Sequence, residues 1–168
     1  MNDPAASCEI VVDVAVESPR WKDLGGAEDL ATTAVRATLA HEKAKLAPGS
    51  EVSLLLCDDA AIRDLNHQWR GQDKPTNVLS FPAADEPGAM PLLGDIAIAF
   101  ETLVREATEE DKPLAAHFCH LVVHGLLHLL GYDHENEFEA EVMEGHERAI
   151  LAELGIEDPY RLTVVDNV

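Results

Sequence analysis

The stretch from Pro113 to His134, "PLAAHFCHLVVHGLLHLLGYDH", constrains this chain more than any other. It opens on a proline, which suits the first turn of a helix because its missing N–H would find no intrahelical partner there. At about 100° per residue, Phe118, Cys119, Leu121, Val122, Val123, Leu126, Leu127, Leu129 and Leu130 cover nearly the whole circumference. A helix that is apolar all round is normally buried. Only one stripe of it, roughly 80° wide by the same arithmetic, is polar, and that stripe is His117, His120, His124 and His128. A buried helix with such a stripe must turn it to a cleft, a metal or a hydrogen-bond network.

His124 and His128 stand one turn apart on one face, so both imidazoles can reach one ion with Zn–N bonds of about 2.0–2.1 Å. Gly131 supplies the left-handed conformation that ends the helix, and the turn "GYDH" carries His134 back to the same point. Three neutral nitrogen ligands suit zinc, one ion per chain, and leave a coordination position open, as catalytic sites do. The spacing H-x3-H-x2-G-x2-H is also that of the metzincin proteases. They carry a glutamate directly after the first histidine as general base. Here that position is Gly125, so peptide hydrolysis lacks its main catalytic group.

The rest of the chain reads as mixed α and β, without repeats. "CEIVVDVAV" (8–16) alternates apolar and polar residues and "EVSLLLC" (51–57) is a short apolar run, both strand signatures. "NVLSFP" (77–82) and "GDIAIAF" (94–100) are two further strands joined by a polar loop. Helical spacing runs from Ala27 to about Lys45, from Asp59 (capped by Asp58) to about Trp69, and from Glu101 to about Asp111. A last helix spans about Glu137 to Glu153, ended by Gly155, and "PRWKDLGG" reads as a loop. The expectation is an α+β chain, one domain over 1–168, with about four strands in a small mixed sheet and about five helices.

A second constellation lies upstream of the histidines, "NHQWRGQDKPTNVLSFP" (66–82). Together with "LGDIAIAF" (93–100) and "HFCHLVVHGLLHLLGYDH" (117–134), it resembles the YbeY family of bacterial endoribonucleases in the order and spacing of all three blocks. The resemblance runs from about Glu51 to Glu153. It implies a small mixed sheet packed by helices and zinc held by His124, His128 and His134. It also implies metal-dependent cleavage of ribosomal RNA precursors, notably at the 3′ end of small-subunit rRNA, a part in ribosome quality control, and ribosomal or assembly proteins as partners. The arginine matching Arg70 is associated with function in that family. Asn77 stands where the family more often carries an aspartate.

The chemistry of the residues is compatible with this. A guanidinium holds phosphoryl oxygens through two parallel hydrogen bonds, and Arg70 lies in a Gly/Asp/Lys/Pro turn after a helix, where a side chain can overhang a cleft. On the residues alone, a solvated helix-end charge is the commoner role for such an arginine. Lys74 is a candidate RNA-backbone contact, although surface solubility is the commoner role for it too. His117 and His120 are candidates for orienting the metal ligands or lining the cleft. Asp95 is a candidate outer partner of the site or a plain strand residue.

Charge bears on the substrate. The chain has 12 basic and 32 acidic residues, a formal net charge of −20. That opposes loose binding to polyanions, and the acid-rich segment from Asp133 to Asp158 reads as a solvated helix face. RNA would need a narrow positive patch beside the zinc, or delivery by ribosomal partners. Cys8, Cys57 and Cys119 are odd in number and far apart, which points to buried thiols in a reducing cytoplasm rather than a disulfide framework. The N-terminal residues lack the pattern of a signal peptide, and no apolar run is long enough to span a membrane.

Overall fold

The structure, a computed structural model, describes residues 10–47, 49–84 and 91–160. The order of elements is β1 (Val11–Val16), α1 (Ala27–Glu42), β2 (Glu51–Cys57), α2 (Asp59–Arg70), β3 (Val78–Pro82), β4 (Leu92–Ala99), α3 (Phe100–Glu109), α4 (Leu114–Leu129) and α5 (Glu137–Glu153). The strands form one mixed sheet in the order β1-β2-β4-β3, with β1, β2 and β4 parallel and β3 antiparallel to β4. This is the expected α+β architecture of four strands and five helices.

Alternation along the strands builds two cores. Val52, Leu54, Leu56, Ile96 and Ile98 join the main core with α1, α4 and α5. Cys57, Ala97 and Ala99 turn the other way, to a smaller cluster with Ile62 of α2 and Leu79 of β3. The central strands are therefore buried on both faces, which is why "SLLLC" and "IAIAF" read as continuous apolar runs. α4 lies in the middle of the molecule, packed on α1, α3, α5, β3 and β4. Burial nearly all round its circumference, with only His120, His124 and His128 of the histidine stripe partly exposed, is what its composition requires.

Glycine permits the close approach of α4 to the sheet. A Cβ on Gly125 would lie 2.9 Å from Ile96 Cγ2 and 3.1 Å from Ser80 Oγ. Ser80 Oγ instead donates to the Gly125 carbonyl at 2.9 Å. Gly94, at φ +150°, is closed in the same way by the Phe81 carbonyl and by Leu129 Cδ2.

Several local expectations shift. "PRWKDLGG" contains a 3-10 turn, Pro19–Asp23, rather than plain loop. It inserts Trp21 (2% exposed) edge-on against Phe100 and Phe118, with Nε1–H donating to the Cys57 carbonyl at 2.9 Å. Buried aromatic area outweighs the local turn signal there. α1 stops at Glu42 because Lys43 takes a left-handed conformation. Phe100 belongs to α3 rather than β4, and Pro113 caps α4 rather than entering its first turn. Cys57 and Cys119 are buried, and burial pushes their thiols up to about 12 and about 11, leaving them inert at neutral pH. Cys8, the start of the segment 8–16 and the chain after Tyr160 lie outside the described residues. Among the described residues, no helix is long and apolar enough to cross a membrane.

Candidate metal centre

α4 places His124 and His128 one turn apart, and the chain then reverses at Gly131 (φ +105°). The reversal is fixed by the Gly131 and Tyr132 amides, which donate to the His128 and Leu127 carbonyls at 3.0 Å each. It returns His134 beside the pair: His124, His128 and His134 can each offer one donor atom, all within 4.8 Å of one another. His134 is exposed and the other two are half-buried, so the group is open on one side.

The outer contacts decide which nitrogens face inward. His128 Nδ1 donates to the Tyr132 carbonyl at 3.0 Å. His124 Nδ1 lies 3.4 Å from Glu147 Oε2. With both Nδ1 atoms carrying the proton, both Nε2 atoms are bare lone pairs, and they face each other at 3.2 Å. Two lone pairs at that separation repel unless a cation lies between them. The donor set thus fits a divalent ion, with tautomers fixed by a backbone carbonyl and a carboxylate as metal-binding imidazoles usually are. Burial, with the neighbouring His124 and His134, lowers His128 to about 4. It therefore stays neutral and able to ligate throughout the neutral range.

Behind the three histidines lies a polar network within the core. Glu147 is 1% exposed. It accepts from His120 Nε2 at 2.5 Å and from Tyr160 Oη at 2.8 Å, besides facing His124. Burial alone would raise its pKa, but the hydrogen bonds from His120 and His124 outweigh that and hold it at about 2. His117, also buried, pairs with Glu106 at 2.9 Å. Glu106 is pushed up by burial and pulled down further by His117 and Asn77, for a net lowering. Asn77 Nδ2 donates to Glu106 at 3.0 Å while its Oδ1 accepts from the Val78 amide at 2.6 Å. An aspartate at 77 would have no proton for Glu106, so the amide suits this particular pair.

Of the expected site residues, Arg70, His124, His128 and His134 line one cleft, together with Asn77, Ser80, Tyr132 and Asp133. Arg70 Nη2 donates to the Ser80 carbonyl at 2.8 Å, and its guanidinium lies over the Phe81 ring at 5.6 Å. It is thus a positioned side chain rather than a free helix-end charge. His120 reaches the site through Glu147, whereas His117 is tied to α3 through Glu106; both also line a separate recess with residues 110–113 and 155–159. Lys74 is exposed and outside the cleft. Asp95 pairs with Phe81 in mid-strand, on the face of β4 opposite the one where Ile96 meets α4.

The acid-rich segment requires a correction. It is not all solvated face, because Glu147 shares a buried stripe of α5 with Met143, Ile150 and Leu151. The spacing of those three apolar residues, each one turn from Glu147 at −4, +3 and +4, is the signal that finds it. Gly125 also gains a second reason to differ from a protease glutamate: position 125 faces the sheet, not the cleft.

Comparison with known proteins gives the family. A family model described as "Endoribonuclease YbeY" matches residues 20–155. Proteins named endoribonuclease YbeY are similar along most of the chain. That of Methylocella silvestris is 52% identical over 151 residues, covering 90% of this chain and 86% of its own. That of Azorhizobium caulinodans is 55% identical over 153 residues, covering 90% and 96%. The solution structure of TM1509 from Thermotoga maritima superposes with a TM-score of 0.51 at 26% identity, covering 90% of this chain and all of that one. By motif, by cleft and by these relatives, the chain belongs to the YbeY endoribonuclease family.

Proposed function

We propose that this chain is a zinc-dependent endoribonuclease that cuts single-stranded RNA, acting on ribosomal RNA precursors in the cytoplasm. The observation that carries the reading is the convergence of Arg70 with His124, His128 and His134 on one cleft. The same family reading extends the role to small-subunit rRNA 3′ ends and ribosome quality control, with ribosomal or assembly proteins presenting the substrate.

The three histidines would hold one zinc ion. When bound, the ion supplies Lewis-acid stabilisation of a phosphoryl oxygen and lowers the pKa of water. The remaining chemistry belongs to the chain. Glu147 and the Tyr132 carbonyl keep the His124 and His128 lone pairs aimed at one point. Arg70 spends one of its five N–H donors on Ser80, which holds the fork in place and leaves donors for non-bridging phosphate oxygens. Negative charge grows on those oxygens during cleavage, so a preorganised guanidinium favours the transition state over the ground state. Trp69, 63% exposed, lies beside Phe81 with ring centroids 6.3 Å apart. Such aromatics stack on bases that are splayed out of a helix, which favours single strands over duplex.

The test is to incubate the zinc-loaded protein with single-stranded RNA, duplex RNA of the same sequence, and casein. Cleavage of the single strand is expected. Digested casein with intact RNA would overturn the reading.

A further inference from the structure

A second cluster of ligating side chains lies outside the cleft. It joins the last turn of α1 to the middle of α5. His41, Glu42 and His146 can each offer one donor atom, all within 4.8 Å of one another. His146 Nδ1 stands 2.8 Å from Glu42 Oε2, and His41 Nε2 stands 3.8 Å from the same oxygen. Donors on a tetrahedral ion with bonds of about 2.1 Å lie about 3.4 Å apart, and these two separations bracket that value.

The protons around the cluster show why a cation belongs there. Tyr132 Oη donates to Glu42 Oε1 at 2.6 Å, so the tyrosine has spent its only proton. Its oxygen faces His146 Nε2 at 3.2 Å, and can only accept there. That fixes the proton of a neutral His146 on Nε2 and leaves Nδ1 bare. The bare Nδ1 is the atom facing Glu42 Oε2. That oxygen is buried, on a side chain only 9% exposed, and receives no aligned hydrogen bond. An unpartnered buried carboxylate oxygen facing a nitrogen lone pair is costly unless positive charge lies between them. On the far side of His41, Nδ1 lies 3.6 Å from Glu153 Oε1, so this imidazole too has a carboxylate behind it. Hence each histidine has an outer partner, the arrangement seen at His124 and His128. The position adds to this, because the C-terminal end of a helix such as α1 carries partial negative charge that favours cations.

We propose that His41, Glu42 and His146 form a second divalent-cation site, selective for a transition metal of the zinc type by its two nitrogens and one carboxylate. This site is distinct from the three-histidine centre. Tyr132 joins them: its carbonyl accepts from His128 and its hydroxyl donates to Glu42.

The experiment is a Co²⁺ titration of metal-free protein, followed by calorimetry and by visible absorption. Excess Mg²⁺ is kept present to fill sites made of carboxylates alone, since imidazole favours the later transition metals over Mg²⁺. Wild type is expected to bind two equivalents. His41→Gln/His146→Gln, with an unchanged circular dichroism spectrum, is expected to bind one, and so is His124→Ala/His128→Ala. Saturation of wild type at one equivalent would overturn the proposal and make the cluster an ion pair with a protonated His146. Two equivalents retained by His41→Gln/His146→Gln would overturn it as well. If that variant does not fold, His124→Ala/His128→Ala decides: one equivalent remaining supports the second site, and none contradicts it.

Discussion

Glu147 Oε2 lies 3.4 Å from His124 Nδ1, deep enough in the core that the carboxylate is only 1% exposed. A buried charge is costly, and this one lies behind His124 of the candidate metal group while also accepting from His120 and Tyr160. Glu147→Gln keeps the shape but loses the charge and one acceptor oxygen. Zinc affinity is expected to fall about 10–100-fold, the usual effect of removing an outer partner of a metal ligand. Competition with a chromophoric chelator measures it. Unchanged affinity would reduce Glu147 to a core hydrogen-bond acceptor.

Arg70 separates chemistry from folding. Arg70→Ala should keep the fold and the metal while losing about two to three orders of magnitude in single-turnover RNA cleavage, as loss of one donor to developing charge does. Arg70→Lys should recover only part, because an ammonium keeps the charge without the planar fork. A loss of rate accompanied by lost zinc or a large drop in melting temperature would instead make Arg70 a structural residue, acting through Ser80.

Gly125 tests the contact between α4 and the sheet. Gly125→Ala must push against Ile96 and Ser80, where the added Cβ has 2.9 and 3.1 Å of room. Destabilisation of about 1–3 kcal/mol is expected from overpacking, despite the better helix propensity of alanine. Urea unfolding measures it, and a stabilised variant would show that the contact yields easily.

Acid should weaken the metal-free protein in a particular window. His128 is lowered by burial from 6.5 to about 4. Between those values the unfolded chain takes up a proton that the folded chain refuses, so stability falls as pH drops from 6.5 to about 4 and levels off below. Glu147, held at about 2, adds stability above the ordinary carboxylate pKa that is lost as pH falls from there toward 2. Between pH 7 and pH 4 the melting temperature of metal-free wild type should fall further than that of metal-free His128→Gln if His128 carries the upper part of this window. Parallel curves would assign that loss to other groups.

What was legible in the sequence follows from how local each cause is. α4 and its histidines were legible because one helix carries both the apolar surround and the i, i+4 pair, and Gly131 announces the reversal. α5 was legible in extent, but the burial of Glu147 was hidden by the many acids around it. Only the apolar positions Met143, Ile150 and Leu151 reveal which face turns inward. The anchoring of Arg70 depends on β3 pairing antiparallel with β4, a long-range outcome no local pattern contains. The 3-10 turn at Trp21 was likewise set by distant aromatics, Phe100 and Phe118.

The central claim is that a cation held by His124, His128 and His134 enables RNA cleavage beside Arg70. The most direct measurement is single-turnover cleavage of an end-labelled single-stranded RNA by the metal-free protein, before and after zinc is restored, alongside His124→Ala/His128→Ala treated identically. No cleavage is expected without metal, cleavage by wild type is expected once zinc is added, and none is expected by the folded double variant. Cleavage by that variant at the wild-type rate, or by wild type stripped of metal, would contradict it.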